Sequence, residues 1–145
     1  MFAVPDFTVP ESVAPRRALP PATIVRAVAA DPGSWRHLLR YELDAPSRVD
    51  LPAEHPDLQL WLRGWLPGQW APLSHAEGMF SVASGVITEL DPAGERTVRA
   101  GQTRVLGQSP RRRLMNMGDW PVVTVHASAV MTRRVSPGSV YQRFS

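Results

Sequence analysis

Leu58-Gln59-Leu60-Trp61-Leu62-Arg63 places three leucines on one side of an extended chain and Gln59, Trp61 and Arg63 on the other. A period of two marks a β-strand, because successive side chains point to opposite faces. The same texture recurs in short pieces toward the C-terminus. Strands are expected at 79–83, 85–90, 96–99, 103–106, 113–117 and 121–129. Between them stand Leu66-Pro67-Gly68-Gln69, Gly78, Gly85, Asp91-Pro92-Ala93-Gly94, Gly101, Gly107 and Gly118-Asp119, all turn or break signals. Short strands with turn signals about every 8–12 residues predict an all-β sandwich or barrel.

Toward the N-terminus the pattern changes. Pro5, Pro10, Pro15 and Pro20 preclude a helix and most sheet pairing, so residues 1–20 read as an extended proline-rich arm. Residues 22–30 read as a helix, opened by Pro20-Pro21 where proline is tolerated and stopped by Asp31-Pro32-Gly33. A second short helix, capped by Ser34, is expected over Trp35–Tyr41, with Trp35, Leu38 and Leu39 on one side. Residues 44–57 hold Pro46, Pro52 and Pro56 and read as a loop. The chain thus divides into the arm (1–20), a helical and loop segment packed on the barrel (21–57), the barrel (58–131) and a tail (132–145).

At 145 residues and 16.0 kDa, with 43% hydrophobic residues, the chain is one domain that can bury a core without disulfides. It contains no cysteine, which excludes a disulfide scaffold, a cysteine-ligated zinc or iron–sulfur site and a thiol nucleophile. All 16 basic residues are arginine, so there is no lysine for Schiff-base chemistry or a phosphate-binding P-loop. The sequence pI near 10.5 reflects arginine's resistance to titration, since the net charge is only +3. The cluster Arg111-Arg112-Arg113 comes with no stacking platform, so nucleic acid is not an expected partner. No apolar run reaches the roughly 20 residues that span a bilayer. Met1–Pro10 lacks the basic and apolar regions of a secretory signal. The expectation is a cytoplasmic protein, monomeric or homodimeric, with no membrane partner.

Five motifs occur in order: Trp65-Leu66-Pro67-Gly68-Gln69, Gly85-Val86-Ile87-Thr88-Glu89, Arg99-Ala100-Gly101, Asn116-Met117-Gly118 and Val123-Thr124-Val125-His126-Ala127. Together they resemble the small bacterial members of the cysteine dioxygenase family, a branch of the cupin superfamily, from about Thr23 to Met131. The resemblance implies a cupin jelly-roll barrel with its ligand site inside, so the expected fold is that barrel with one or two short N-terminal helices and, from the prolines, the extended arm. It also implies iron(II) held by three histidines, two from a His-Asp-His stretch after the Pro-Gly turn and one four residues before the asparagine. Here the first stretch reads Ser74-His75-Ala76-Glu77-Gly78, so that Ser74 and Ala76 stand at the two ligand positions. The third position is Arg112. A guanidinium has no lone pair to donate, and its charge repels a cation. A further family histidine, outside the ligand set, matches His126, but the tyrosine two residues on is Ser128.

These departures leave several readings of the site. His75 and Glu77 share one face of a strand and, with His126, could form a two-histidine, one-carboxylate iron site. Otherwise they line a metal-free polar pocket, or lie in a plain loop. Arg112, if it points inward like the ligand it replaces, needs a partner. Glu77 is the nearest candidate, and a bound carboxylate is the alternative. The plain alternative is that all three arginines form a solvated turn. Alternation puts Val122, Thr124 and His126 on one face, and His126 is the best general acid or base. Arg63 shares a face with Trp61 and Trp65 and could contact an anion. Trp61 and Trp65 are expected in the core, Trp70 and Trp120 at a pocket mouth, and Met115 and Met117 as core filler. Three functions follow. The favoured one is metal-independent binding, or acid–base conversion, of a small polar or anionic organic ligand, with no cofactor. In that reading His126 and Arg112 act on the ligand, and Ser74, His75, Glu77, Ser128 and Arg63 contact it. The second is a thiol dioxygenase using Fe2+ at His75, Glu77 and His126. The third is a non-catalytic binding or regulatory protein.

Overall fold

Two prolines start the helix. In the computed structural model, which describes residues 19–52, 54–73, 78–106 and 111–129, α1 spans Pro21–Ala29 with Pro21 in its first turn. Proline lacks an N–H that would go unpaired there anyway. Val25 and Ala29, four apart, are its buried residues. Trp35 is buried beside them, its indole N–H donating to the Val28 carbonyl at 2.8 Å. The helix expected over Trp35–Tyr41 is instead a pair of 3-10 turns, Pro32–Ser34 and Arg36–Leu38. Two features end it. The Ser34 hydroxyl donates back to the Asp31 carbonyl rather than capping forward, and the backbone is already extended at Leu39. No helix among the described residues is long and apolar enough to cross a membrane.

Among the described residues nine strands follow: β1 (Val49–Asp50), β2 (Leu58–Trp65), β3 (Trp70–Leu73), β4 (Met79–Ser84), β5 (Val86–Asp91), β6 (Gly94–Arg99), β7 (Thr103–Val105), β8 (Arg112–Met115) and β9 (Val122–Ala129). One sheet has the order β1-β2-β9-β4-β7 and the other β3-β8-β5-β6, and every pairing is antiparallel. β1 lies in the segment read as a loop, and β3, which contains Pro72, was not among the expected strands. Proline is tolerated there because β3 is an edge strand, where one row of N–H groups has no neighbour.

The alternation of β2 serves two interiors. Leu58, Leu60 and Leu62 pack with Val123, Val125 and Ala127 against α1 and Trp35. Trp65, on the opposite face, joins Phe80, Val82, Val122, Ile87, Val98 and Leu114 between the sheets. Asn116 ties the turns at one end together. Its Nδ2 donates to the carbonyls of Trp65 (3.0 Å) and Trp120 (2.8 Å), and its Oδ1 accepts the Gly118 N–H at 3.0 Å. Met117 lies past the end of β8 and is 57% exposed, and Met115 is half-buried, so these methionines do not fill the core as expected. Trp70 and Trp120 are exposed beside turns, whereas Trp61 and Trp65 are buried. Nearly all of the arm and the whole of the tail from residue 132 lie outside the described residues.

Candidate functional site

Strand register sets a row of rings across the inner face of the larger sheet. Trp61 stands opposite His126, and His126 opposite Phe80. Both rings stack on the imidazole with centroids 5.6 Å away, and all three side chains are buried. Two residues along β9, Thr124 accepts the indole N–H of Trp65 at 2.8 Å and lies 2.7 Å from His126 Nε2. Burial drives the His126 pKa well below its ordinary value, and the charges of Arg63 and Arg48 push it the same way. His126 is therefore neutral at pH 7.

Arg63 shares this face, as expected from the alternation. Its Nε donates to the Ser47 carbonyl at 3.1 Å and its guanidinium lies 5.0 Å from the Trp65 ring centroid. Arg48 sits 4.1 Å from that of Trp61. Ser128, near the end of β9, is half-buried opposite Gln59.

The row continues from Phe80 to Arg104 on β7, and Arg104 reaches across to Glu89 on β5. Glu89 is 1% exposed, the most enclosed acid among the described residues. Arg104 grips it with two bonds, Nε to Oε1 at 2.7 Å and Nη2 to Oε2 at 3.2 Å. Arg112 Nη1 donates to the same Oε2. Arg96, opposite Glu89 on β6, brings its Nε to 4.0 Å from Oε1. Burial by itself would raise the Glu89 pKa. The bonds and charges of Arg104 and Arg112 outweigh it and hold the carboxyl below the usual range.

Arg112 does point inward, with a side chain 15% exposed. Its neighbour Arg113 turns outward, 5.6 Å from the centroid of the Trp70 ring, as strand alternation requires. Among the described residues the partner of Arg112 is Glu89, because β5 pairs directly with β8 and faces Glu89 into the barrel beside it; the expected partner Glu77 lies outside them. Sequence reading missed Glu89 and Arg104. The available signal was the alternation Ile87, Glu89 on one face of a strand whose other residues lie opposite. Arg112 also keeps one donor over: its Nε is buried and meets no acceptor among the described residues. The same residue lines a cleft of about 440 Å³ with Pro72, Leu90, Asp91, Pro92, Arg111 and Arg113.

Ser74, His75 and Glu77 lie outside the described residues, and so does the iron site His75–Glu77–His126 that would need them. Among the described residues no three His, Cys, Asp or Glu side chains gather as a metal site.

No protein-family model matches the chain, and no curated protein matches it. Solved structures do. A protein with a double-stranded β-helix domain from Klebsiella pneumoniae is 22% identical, over 65% of this chain and 84% of that one, with a TM-score of 0.57. A Cupin 2 barrel domain protein from Salinispora arenicola is 17% identical over 64% and 82%, with a TM-score of 0.53. A sugar phosphate isomerase of the cupin superfamily from Silicibacter pomeroyi is 19% identical over 60% of each chain, with a TM-score of 0.52. At these identities the likeness speaks for the fold and not the activity. Two antiparallel sheets enclosing a buried polar centre, with a helix on the outer face, give this chain the cupin fold, a double-stranded β-helix.

Proposed function

We propose that this cupin binds a small anionic organic molecule at the Arg112 end of the barrel, without a metal ion. One observation carries the reading. Arg112 Nε is a buried donor with no acceptor among the described residues, on a guanidinium that lines a 440 Å³ cleft. A buried unsatisfied donor costs about 1–3 kcal/mol, and a ligand carboxylate would remove that cost. Glu89 fixes the guanidinium through Nη1, so the side chain is held in place rather than searching.

The ordered motifs similar to the cysteine dioxygenase family support descent from an iron enzyme. The residue at its third ligand position does not fit a metal. Arg112 presents a cation with no lone pair, already bonded to a carboxylate. His126 is fully buried, held neutral and absent from the lining of the Arg112 cleft, so binding rather than acid–base conversion is the reading the cleft supports.

Calorimetric titration with succinate tests the reading. Saturable binding, weakened at least about tenfold in Arg112→Gln, is the expected result. Undiminished binding in Arg112→Gln overturns it. Protein purified with ferrous iron gives the second arm. Iron near one per chain, lost in His75→Ala, would replace this reading with a thiol dioxygenase on relocated ligands. Gain of iron by Arg112→His would place residue 112 at the former metal position. A bound ligand that is released unchanged would make the protein a binding module rather than an enzyme.

A further inference from the structure

We propose that a second cleft, on the outside of the barrel between α1 and the β6–β7 turn, binds a phosphate-type oxyanion. This site stands apart from the Arg112 cleft and does not rest on the function proposed for it. It is about 470 Å³ in volume and is lined by Arg26 of α1, Arg96, Thr97 and Val98 of β6, Gly101 and Gln102 of the turn, and Thr103 and Arg104 of β7. Three of those residues are cations and none is an acid.

Charge accounting singles out this cleft. Among the described residues Glu89 is the carboxylate that bonds the arginines here, with Asp91 acting on Arg104 through its charge, and Arg104 and Arg112 already occupy both Glu89 oxygens. Arg96 stands 4.0 Å off, beyond hydrogen-bond reach, with a side chain 55% exposed. Arg26, in the last turn of α1, is exposed and shows no ion pair among the described residues. Among the described residues, two guanidiniums, Arg26 and Arg96, are thus presented to one cleft with no hydrogen bond to a carboxylate, Arg96 keeping only the longer ion pair to Glu89.

The walls are rigid. Arg104 is locked by its two-point bond to Glu89. Thr103 donates to the Ser81 hydroxyl at 3.0 Å, which donates to the Gln102 carbonyl at 3.2 Å. Gln102 spends its side-chain oxygen on the Arg99 N–H at 2.8 Å, leaving the amide N–H groups as what it can offer. Planar guanidiniums recognise phosphate oxygens in pairs, and a fixed cationic wall keeps the cost of ordering low. A phosphate dianion matches the two arginines, Arg26 and Arg96, better than a single carboxylate does.

The full chain, titrated with inorganic phosphate and followed by amide chemical shifts, provides the test. The expected result is saturable shifts at 101–104 and in α1, absent with chloride at equal ionic strength. Arg26→Gln and Arg96→Gln should each weaken binding about tenfold while leaving the thermal midpoint unchanged, since both side chains are exposed. A glycerol phosphate arm separates a free phosphate site from one for phosphomonoesters: tighter binding of the ester assigns the cleft to phosphorylated small molecules, and equal binding assigns it to the phosphate group alone. Shifts reproduced by chloride, or variants that bind phosphate like the parent chain, overturn the proposal.

Discussion

Glu89 holds together a centre that would otherwise repel itself. Its two oxygens take three bonds from Arg104 and Arg112. Replacing it with glutamine leaves two enclosed guanidiniums facing each other without an anion. Glu89→Gln should therefore cost about 3–5 kcal/mol, read as a lower urea midpoint with an unchanged slope. Arg96→Gln, on the exposed rim, should stay within about 0.5 kcal/mol. Acid should act on the same layer of the molecule. His126 binds its proton well below 6.5 when folded, so the unfolded chain takes one up first as pH falls. Its contribution is full above 6.5 and is lost below. Glu89, held below 4.5, works in the same direction in a lower window. Urea midpoints should decline from pH 6.5 downward, and His126→Asn should flatten the decline above pH 4.5. The shared face of Val122, Thr124 and His126 was legible because alternation alone decides it, whereas the inward turn of Arg112 was legible only through the resemblance, which places it at a ligand position. Glu89 was not, because a charged residue in a short strand reads as solvated until Ile87 is known to face the core.

Strands were easier to read than the segments that join or precede them. β9 announces itself with a run of β-branched and small residues interrupted only by His126. β3 does not, since Pro72 argues against a strand until the sheet order shows it at an edge. The helix expected over Trp35–Tyr41 had suitable spacing, but the backbone is already extended at Leu39, which leaves only the tight turn Arg36–Leu38. Gly85 makes the corner between β4 and β5 with φ +88°, and a Cβ there would lie 2.9 Å from the Pro121 carbonyl oxygen. Both strain and contact oppose a side chain. Gly85→Ala should cost about 1–3 kcal/mol, seen as a lower thermal midpoint with unchanged far-ultraviolet circular dichroism.

At the scale of the whole molecule, the barrel class was legible from the turn spacing, and its kind from the ordered motifs. The division of the interior was not. Nothing in β2 says which side meets a helix, because leucine and tryptophan satisfy either. The larger sheet turns out to be a wall between two apolar compartments, one closed by α1 and one by the smaller sheet. Six consecutive residues of β9, Val122 to Ala127, are buried as a result. An ordinary half-exposed strand can drift at every second position. This wall has no such slack, and its sequence carries two sets of constraints at once. A saturation scan for folded protein should find an unbroken band of intolerance across 122–127. In β6, where only Val98 is buried, it should find a single spike.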